Sequence, residues 1–187
     1  PRKTCPDRGA DSRFRAGNFL PLPETADLDL FQKKLQAAPG SSSLDLRVSG
    51  GDAWTAMKAA DVGLIKSGTS SLEAALLDCP HVVVYRPHPV SEFIFRNLIR
   101  YRKAISLTNL IGARSDEERV VPELILENFT PLKMASHLLE LFGLKGEPRR
   151  AEMRGAFSRI RNILGERSPS ECVAEEIFSL ATKGERG

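Results

Sequence analysis

The alternation of apolar and polar positions changes character near residue 44 of this 187-residue chain. Before that point apolar periodicity is poor. Pro1, Pro6, Pro21, Pro23, Pro39, Gly40 and a run of three serines interrupt it. Residues 1–43 therefore read as a poorly structured or foreign segment, mostly loop, with one short helix at 28–35. The opening Pro in place of Met leads us to expect an incomplete, processed or trimmed chain. Beyond residue 44 short apolar runs alternate with helical patterns. Strands are predicted at 44–48, 62–65, 81–85 and 104–107, and helices at 52–60, 69–78 and 89–103. Asp52 is placed to cap its helix, with Trp54, Met57 and Ala60 on one face. Leu72, Ala75 and Leu76 are expected to point inward from the 69–78 helix. The β-branched run His81-Val82-Val83-Val84-Tyr85 reads as a buried parallel strand.

The last third is helical: 131–142, then 148–164 with Met153, Phe157, Ile160 and Leu164 at helical spacing, then 169–182 behind a Ser168 cap. Cys172, Ile177 and Leu180 are its candidates for burial. Strands alternating with helices predict an α/β fold: a Rossmann-like parallel sheet covered on both faces, over 44–145, followed by C-terminal helices over 146–187.

The densest chemistry lies at Ser67-Gly68-Thr69-Ser70-Ser71-Leu72-Glu73, where a strand turns into a helix. First-turn N–H groups attract anions, so phosphate is the natural guest. A glutamate one turn in suits sugar hydroxyls on the same ligand. The competing reading is a capping box of Ser70 and Glu73 that needs no ligand. Ligands of doubly wound sheets sit beyond the strand carboxyl ends. Two further loops leave such ends: one brings Arg86 to offset phosphate charge, the other brings Asn109 to read a base edge or a phosphate oxygen.

Composition narrows the rest. Only 6% of residues are aromatic and the net charge is +3, so nothing points to nucleic acid. Cys5, Cys79 and Cys172 have neither metal nor disulfide spacing, and His81, His88 and His137 have no zinc spacing. No apolar run approaches the roughly 20 residues of a membrane span, and the N-terminus lacks a secretory h-region. Arg96, Arg100 and Lys103 beside Phe93, Ile94, Leu98 and Tyr101 make either a patch for anionic lipid or a solvated helix face. Arg149, Arg150, Arg154, Arg159 and Arg161 read as a solvated face, and 116–119 as an exposed turn or helix start.

From about residue 48 to 142 the chain resembles the C-terminal half of bacterial lipid-A-disaccharide synthases. The matching pieces are Ala60-Asp61, the 67–73 motif, Val82 to Arg86, Ser106 to Gly112, Val121-Pro122-Glu123-Leu124 and Thr130-Pro131. The resemblance implies a two-domain GT-B glycosyltransferase that joins UDP-2,3-diacylglucosamine to 2,3-diacylglucosamine 1-phosphate, inverts the anomeric centre and releases UDP. It implies no metal or other cofactor, and the cytoplasmic face of the inner membrane as a peripheral location. A homodimer stays open. Carried over by position, Ser67, Gly68, Thr69, Glu73, Arg86 and Asn109 would line the UDP-sugar site. Acceptor binding and the general base would belong to an N-terminal domain that residues 1–43 do not match, so this chain alone is expected not to turn over. Two departures stand out: Thr108 where the family usually has Pro, and Leu126 where it usually has Gln. The alternatives are another nucleotide-sugar enzyme of the same class, MurG-like or a UDP-sugar epimerase relative, and a remnant that folds without catalysing.

Overall fold

The computed structural model describes residues 17–41, 45–86, 104–165 and 169–184. The helix read at 89–103, with its basic patch and neighbouring His88, lies outside the described residues, as do Ser168 and Cys5. The chain divides into two compact units between Ala56 and Met57.

In the first unit β1 (Asn18–Leu22) pairs in parallel with β2 (Leu46–Gly50), in register from Asn18 opposite Leu46 to Leu22 opposite Gly50. Helix α1 (Leu28–Gln36) makes the crossover that parallel strands require. It begins where Asp27 Oδ1 accepts the Leu30 N–H at 2.9 Å and ends on Lys33 and Lys34, cations suited to the negative end of the helix dipole. The strand over 18–22 was read as loop because of its proline. Pro21 is tolerated because, among the described residues, β1 pairs on one side only, so a missing N–H need not break a ladder. Asp52 does cap α2 (Ala53–Ala59): its Oδ1 accepts the Thr55 N–H at 3.0 Å, and hydrogen bonding to Thr55 lowers its pKa. Trp54 is 63% exposed, so the face read for that helix is not buried.

In the second unit β3 (Gly63–Lys66), β4 (His81–Tyr85) and β5 (Glu123–Ile125) form a parallel sheet in the order 3-4-5. The α/β class expected from the sequence is the class found. Helix α3 (Thr69–Leu76) joins β3 to β4, and α4 (Leu107–Gly112), α5 (Pro131–Leu141), α6 (Glu147–Leu164) and α7 (Pro169–Gly184) follow. The core joins Val82, Val83 and Leu124 of the sheet to Ala75, Leu141, Met153, Ala156, Phe157 and Ile160 of the helices. Burying aliphatic side chains of this size contributes about 1.5–3 kcal/mol each.

Some inward assignments fail. In α3 the buried side is Ser71, Ala74 and Ala75, while Leu76 is exposed. Small residues fit there because α3 packs close to α4 and α6. Leu164, Ile177 and Leu180 are exposed as well. The strand read at 104–107 does not form. Ser106 caps α4 instead, and the Ile105 and Ser106 N–H groups bond the Glu123 carboxylate where a strand would need a ladder partner.

Nor do the α6 arginines form a plain solvated face. Arg161 donates to the carbonyls of Ala75 at 3.3 Å and Leu76 at 3.4 Å, and to Asp78 Oδ1 at 2.9 Å, closing the C-terminus of α3. Arg150 does the same for α5 through the Leu141 and Gly143 carbonyls. Helix ends leave such carbonyls without intrahelical partners, and a cation there also meets the favourable dipole.

Candidate functional site

All three strands of the second unit finish on one side. Lys66 is level with Val84, and Tyr85 with Ile125. The Ser67 N–H continues the ladder onto the Val84 carbonyl at 2.8 Å. Ser67 is thereby fixed at the sheet edge from which Gly68, Arg86 and Leu126 depart.

Gly68 stands at the N-cap of α3 with φ 138° and ψ −158°, a conformation that side-chain-bearing residues rarely adopt. No side chain caps the helix; Ser71 Oγ instead donates to the Gly68 carbonyl at 2.9 Å. The box of Ser70 and Glu73 is therefore not formed. Because α3 already begins at Thr69, Ser70 is the second helical residue and cannot act as N-cap. An ideal Cβ placed on Gly68 would meet nothing within 4 Å among the described residues. Gly68 and Thr69 are exposed, Ser67 and Glu73 half-buried, and Arg86 exposed at the end of β4. These five residues lie on the sheet edge or on the first turns of the helix that leaves it.

Asn109 has a different position. It is fully buried, and its amide is committed within the protein. Nδ2 donates to the Val121 carbonyl at 2.9 Å and to Glu123 Oε1 at 2.8 Å, and Oδ1 accepts the Val121 N–H at 2.9 Å. Reading a base edge is incompatible with that geometry, since both N–H donors are used. Asn109 positions the segment before β5.

Glu123, which sequence reasoning passed over, organises the same knot. Its Oε1 accepts from Ser106 N at 3.0 Å and Ser106 Oγ at 2.7 Å, and its Oε2 from Ile105 N at 3.0 Å. Its signals were its place in the Val121-Pro122-Glu123-Leu124 piece and a carboxylate among apolar neighbours. Thr108 donates its hydroxyl to the Ser71 carbonyl at 2.7 Å and ties α4 to α3. Leu126 takes φ 55° at the end of β5, an uncommon conformation for a residue with a side chain.

Burial neutralises the chemistry of two groups at the start of β4, the end of the strand away from the site. It pushes the Cys79 thiol up to about 11, so no thiolate nucleophile forms there at neutral pH. It pushes His81 down to about 4, so the ring is neutral. Among the described residues no group of three His, Cys, Asp or Glu side chains could hold a metal ion. Among them, too, no helix is long and apolar enough to cross a membrane.

A parallel sheet whose carboxyl edge carries a glycine turn into an uncapped helix defines an α/β protein of the Rossmann-like class, with an anion-accepting edge. Comparison with known proteins narrows this. The family described as lipid-A-disaccharide synthetase matches residues 25–180. The lipid-A-disaccharide synthase of Gloeothece citriformis is 34% identical over 152 residues, covering 81% of this chain and 38% of the relative. That of Synechocystis is 34% identical over 72% of this chain and 33% of the relative, and that of Anaeromyxobacter dehalogenans 32% identical over 91% and 43%. The chain belongs to the lipid-A-disaccharide synthase family and spans about two fifths of the length of these relatives. The match begins at residue 25, inside the stretch read as foreign.

Proposed function

We propose that this chain is the UDP-sugar-holding part of a lipid-A-disaccharide synthase. In the full reaction the 6-hydroxyl oxygen of 2,3-diacylglucosamine 1-phosphate attacks the anomeric carbon of UDP-2,3-diacylglucosamine from the face opposite UDP. The C–O bond to the β-phosphate breaks, UDP departs with the electron pair, and a general base takes the hydroxyl proton. Departure of UDP is the step this chain would assist.

The observation that carries the reading is Gly68, whose backbone starts α3 with no side-chain cap on that residue and, among the described residues, open space above it. A diphosphate seated there meets the first N–H groups of the helix and its positive dipole end. Ser67 and Thr69 offer hydroxyls beside it, Arg86 offsets phosphate charge, and Glu73 accepts hydrogen bonds from the ribose. Asn109 acts through the loop it holds. The acylated substrates place the enzyme peripherally at the cytoplasmic face of the inner membrane. The general base lies outside this chain, so the purified 187 residues give no disaccharide; detectable product would refute that part.

Calorimetry with UDP tests the site. Wild-type chain binds, and Glu73→Ala weakens binding about tenfold or more, the range for losing hydrogen bonds to a charged group, with circular dichroism unchanged. UDP that leaves the amide resonances of Gly68 and Glu73 unmoved at saturation would overturn the assignment.

A further inference from the structure

Among the described residues the completely buried polar side chains are Ser71, His81, Ser106, Thr108 and Asn109. All but His81 belong to one line of hydrogen bonds that runs from β5 to the Gly68 turn. Burying a hydroxyl or an amide costs free energy unless it is paired. A paired network fixes one arrangement of the segments it joins.

The line starts at Glu123, whose Oε1 accepts from Ser106 Oγ at 2.7 Å and from Asn109 Nδ2 at 2.8 Å. These bonds hold the first turn of α4 against β5. Thr108 stands on the same turn, and its hydroxyl donates to the Ser71 carbonyl in α3 at 2.7 Å. Ser71 passes the restraint on. Its own hydroxyl donates to the Gly68 carbonyl at 2.9 Å, where the Ser71 N–H also arrives at 3.3 Å. In a trans peptide the carbonyl and the following N–H share a plane and point opposite ways. A Gly68 carbonyl held toward the helix therefore turns the Thr69 N–H outward, past the helix start, where it has no intrahelical acceptor. Glycine has the most torsional freedom to lose, so the restraint acts where it matters most.

We propose that Thr108 is a positioning residue: acting through Ser71, with Glu123 as anchor, it presets the Gly68–Thr69 peptide so that a diphosphate meets a Thr69 N–H already aimed at it. The proposal rests on the reading of the Gly68 turn as the diphosphate site. Thr108 is completely buried and acts only through the protein. A donor fixed before the ligand arrives loses less entropy on binding than one still to be ordered.

The test compares the full chain as wild type, Thr108→Val, Thr108→Ser, Ser71→Ala and the Thr108→Val/Ser71→Ala double variant. Backbone amide relaxation of the free chain reads the order of the Gly68 and Thr69 N–H groups, and calorimetry reads the affinity for UDP. Thr108→Val keeps the shape and loses the donor. It should lower the order at Thr69 and weaken UDP binding about three- to tenfold, the range for one hydrogen bond. Ser71→Ala should do the same, and the double variant should be little worse than either single, because both break one path. Thr108→Ser keeps the hydroxyl and should restore both readouts. Circular dichroism and thermal unfolding follow the fold. A hydroxyl that only stabilises the chain would lower the unfolding temperature and leave Thr69 order and UDP affinity unchanged. That result would overturn the positioning role and leave the diphosphate reading intact. A wild-type chain that binds no UDP would overturn that reading, and this proposal with it.

Discussion

At His81 the chain buries an ionisable ring completely and leaves one of its nitrogens without a hydrogen-bond partner. Nδ1 faces the Cys79 carbonyl at 2.8 Å, so Nδ1 carries the proton and Nε2 keeps its lone pair. The ring stacks on Phe157 with centroids 5.6 Å apart. Desolvation holds its pKa near 4, below the unfolded value of about 6.5. The folded state therefore binds fewer protons. The stabilisation is complete above about pH 6.5 and is lost as pH falls toward 4, on the order of 3 kcal/mol in all. The midpoint of urea unfolding should drop between pH 7 and pH 5, and His81→Gln should remove most of that drop. An equal drop in the variant would assign it to carboxylates. Asn109 gives a companion test. Asn109→Asp sets a second carboxylate beside Glu123 in a buried knot, and should cost about 3 kcal/mol at pH 7, with partial recovery in acid. From the sequence, Asn109 beside a strand end was indistinguishable from a ligand-facing amide. Burial, which depends on what folds over a residue, made the difference.

Among the elements, α6 does most to hold the others in place. Its Ile160 fits against Gly112 of α4 so closely that a Cβ on Gly112 would stand 2.8 Å from Ile160 Cδ1. Gly112→Ala should destabilise by about 1–3 kcal/mol. Ile160→Val, which removes that Cδ1, should offset part of it, so the double variant is more stable than the sum of the singles predicts. Thermal unfolding of the four proteins measures the coupling. Arg161→Ala takes three hydrogen bonds from the end of α3 and should cost about 1–2 kcal/mol. Helical periodicity located α6 and its buried residues Met153, Phe157 and Ile160 correctly. It could not show that three of the arginines between them reach carbonyls on other segments, because that depends on which helix end lies within reach.

For the whole molecule, the described surface is unusually apolar in places. Val173, Ile177, Phe178 and Leu180 of α7, with Leu132 and Leu139 of α5, are each more than half exposed. The chain spans about two fifths of the length of the curated relatives it matches. Contiguous exposed apolar surface favours association. The isolated chain should bind a hydrophobic dye and elute earlier from a sizing column as concentration rises, and Ile177→Ser/Phe178→Ser should reduce both. Elution and dye binding indifferent to the double substitution would remove α7 from that role.

The sequence alone determined the parallel α/β pattern, the buried β4 and the strand–glycine–helix turn at Gly68, because each follows from local periodicity or from the conformational freedom of one residue. Tertiary structure decided what those signals could not carry. A β1 strand containing Pro21 survived as an edge, a strand read at 104–107 gave way to a Glu123 knot, and Asn109 was drawn into the interior. In each of these the deciding partner lies far along the chain, and free energy gained across that distance leaves no trace in the spacing of neighbouring residues.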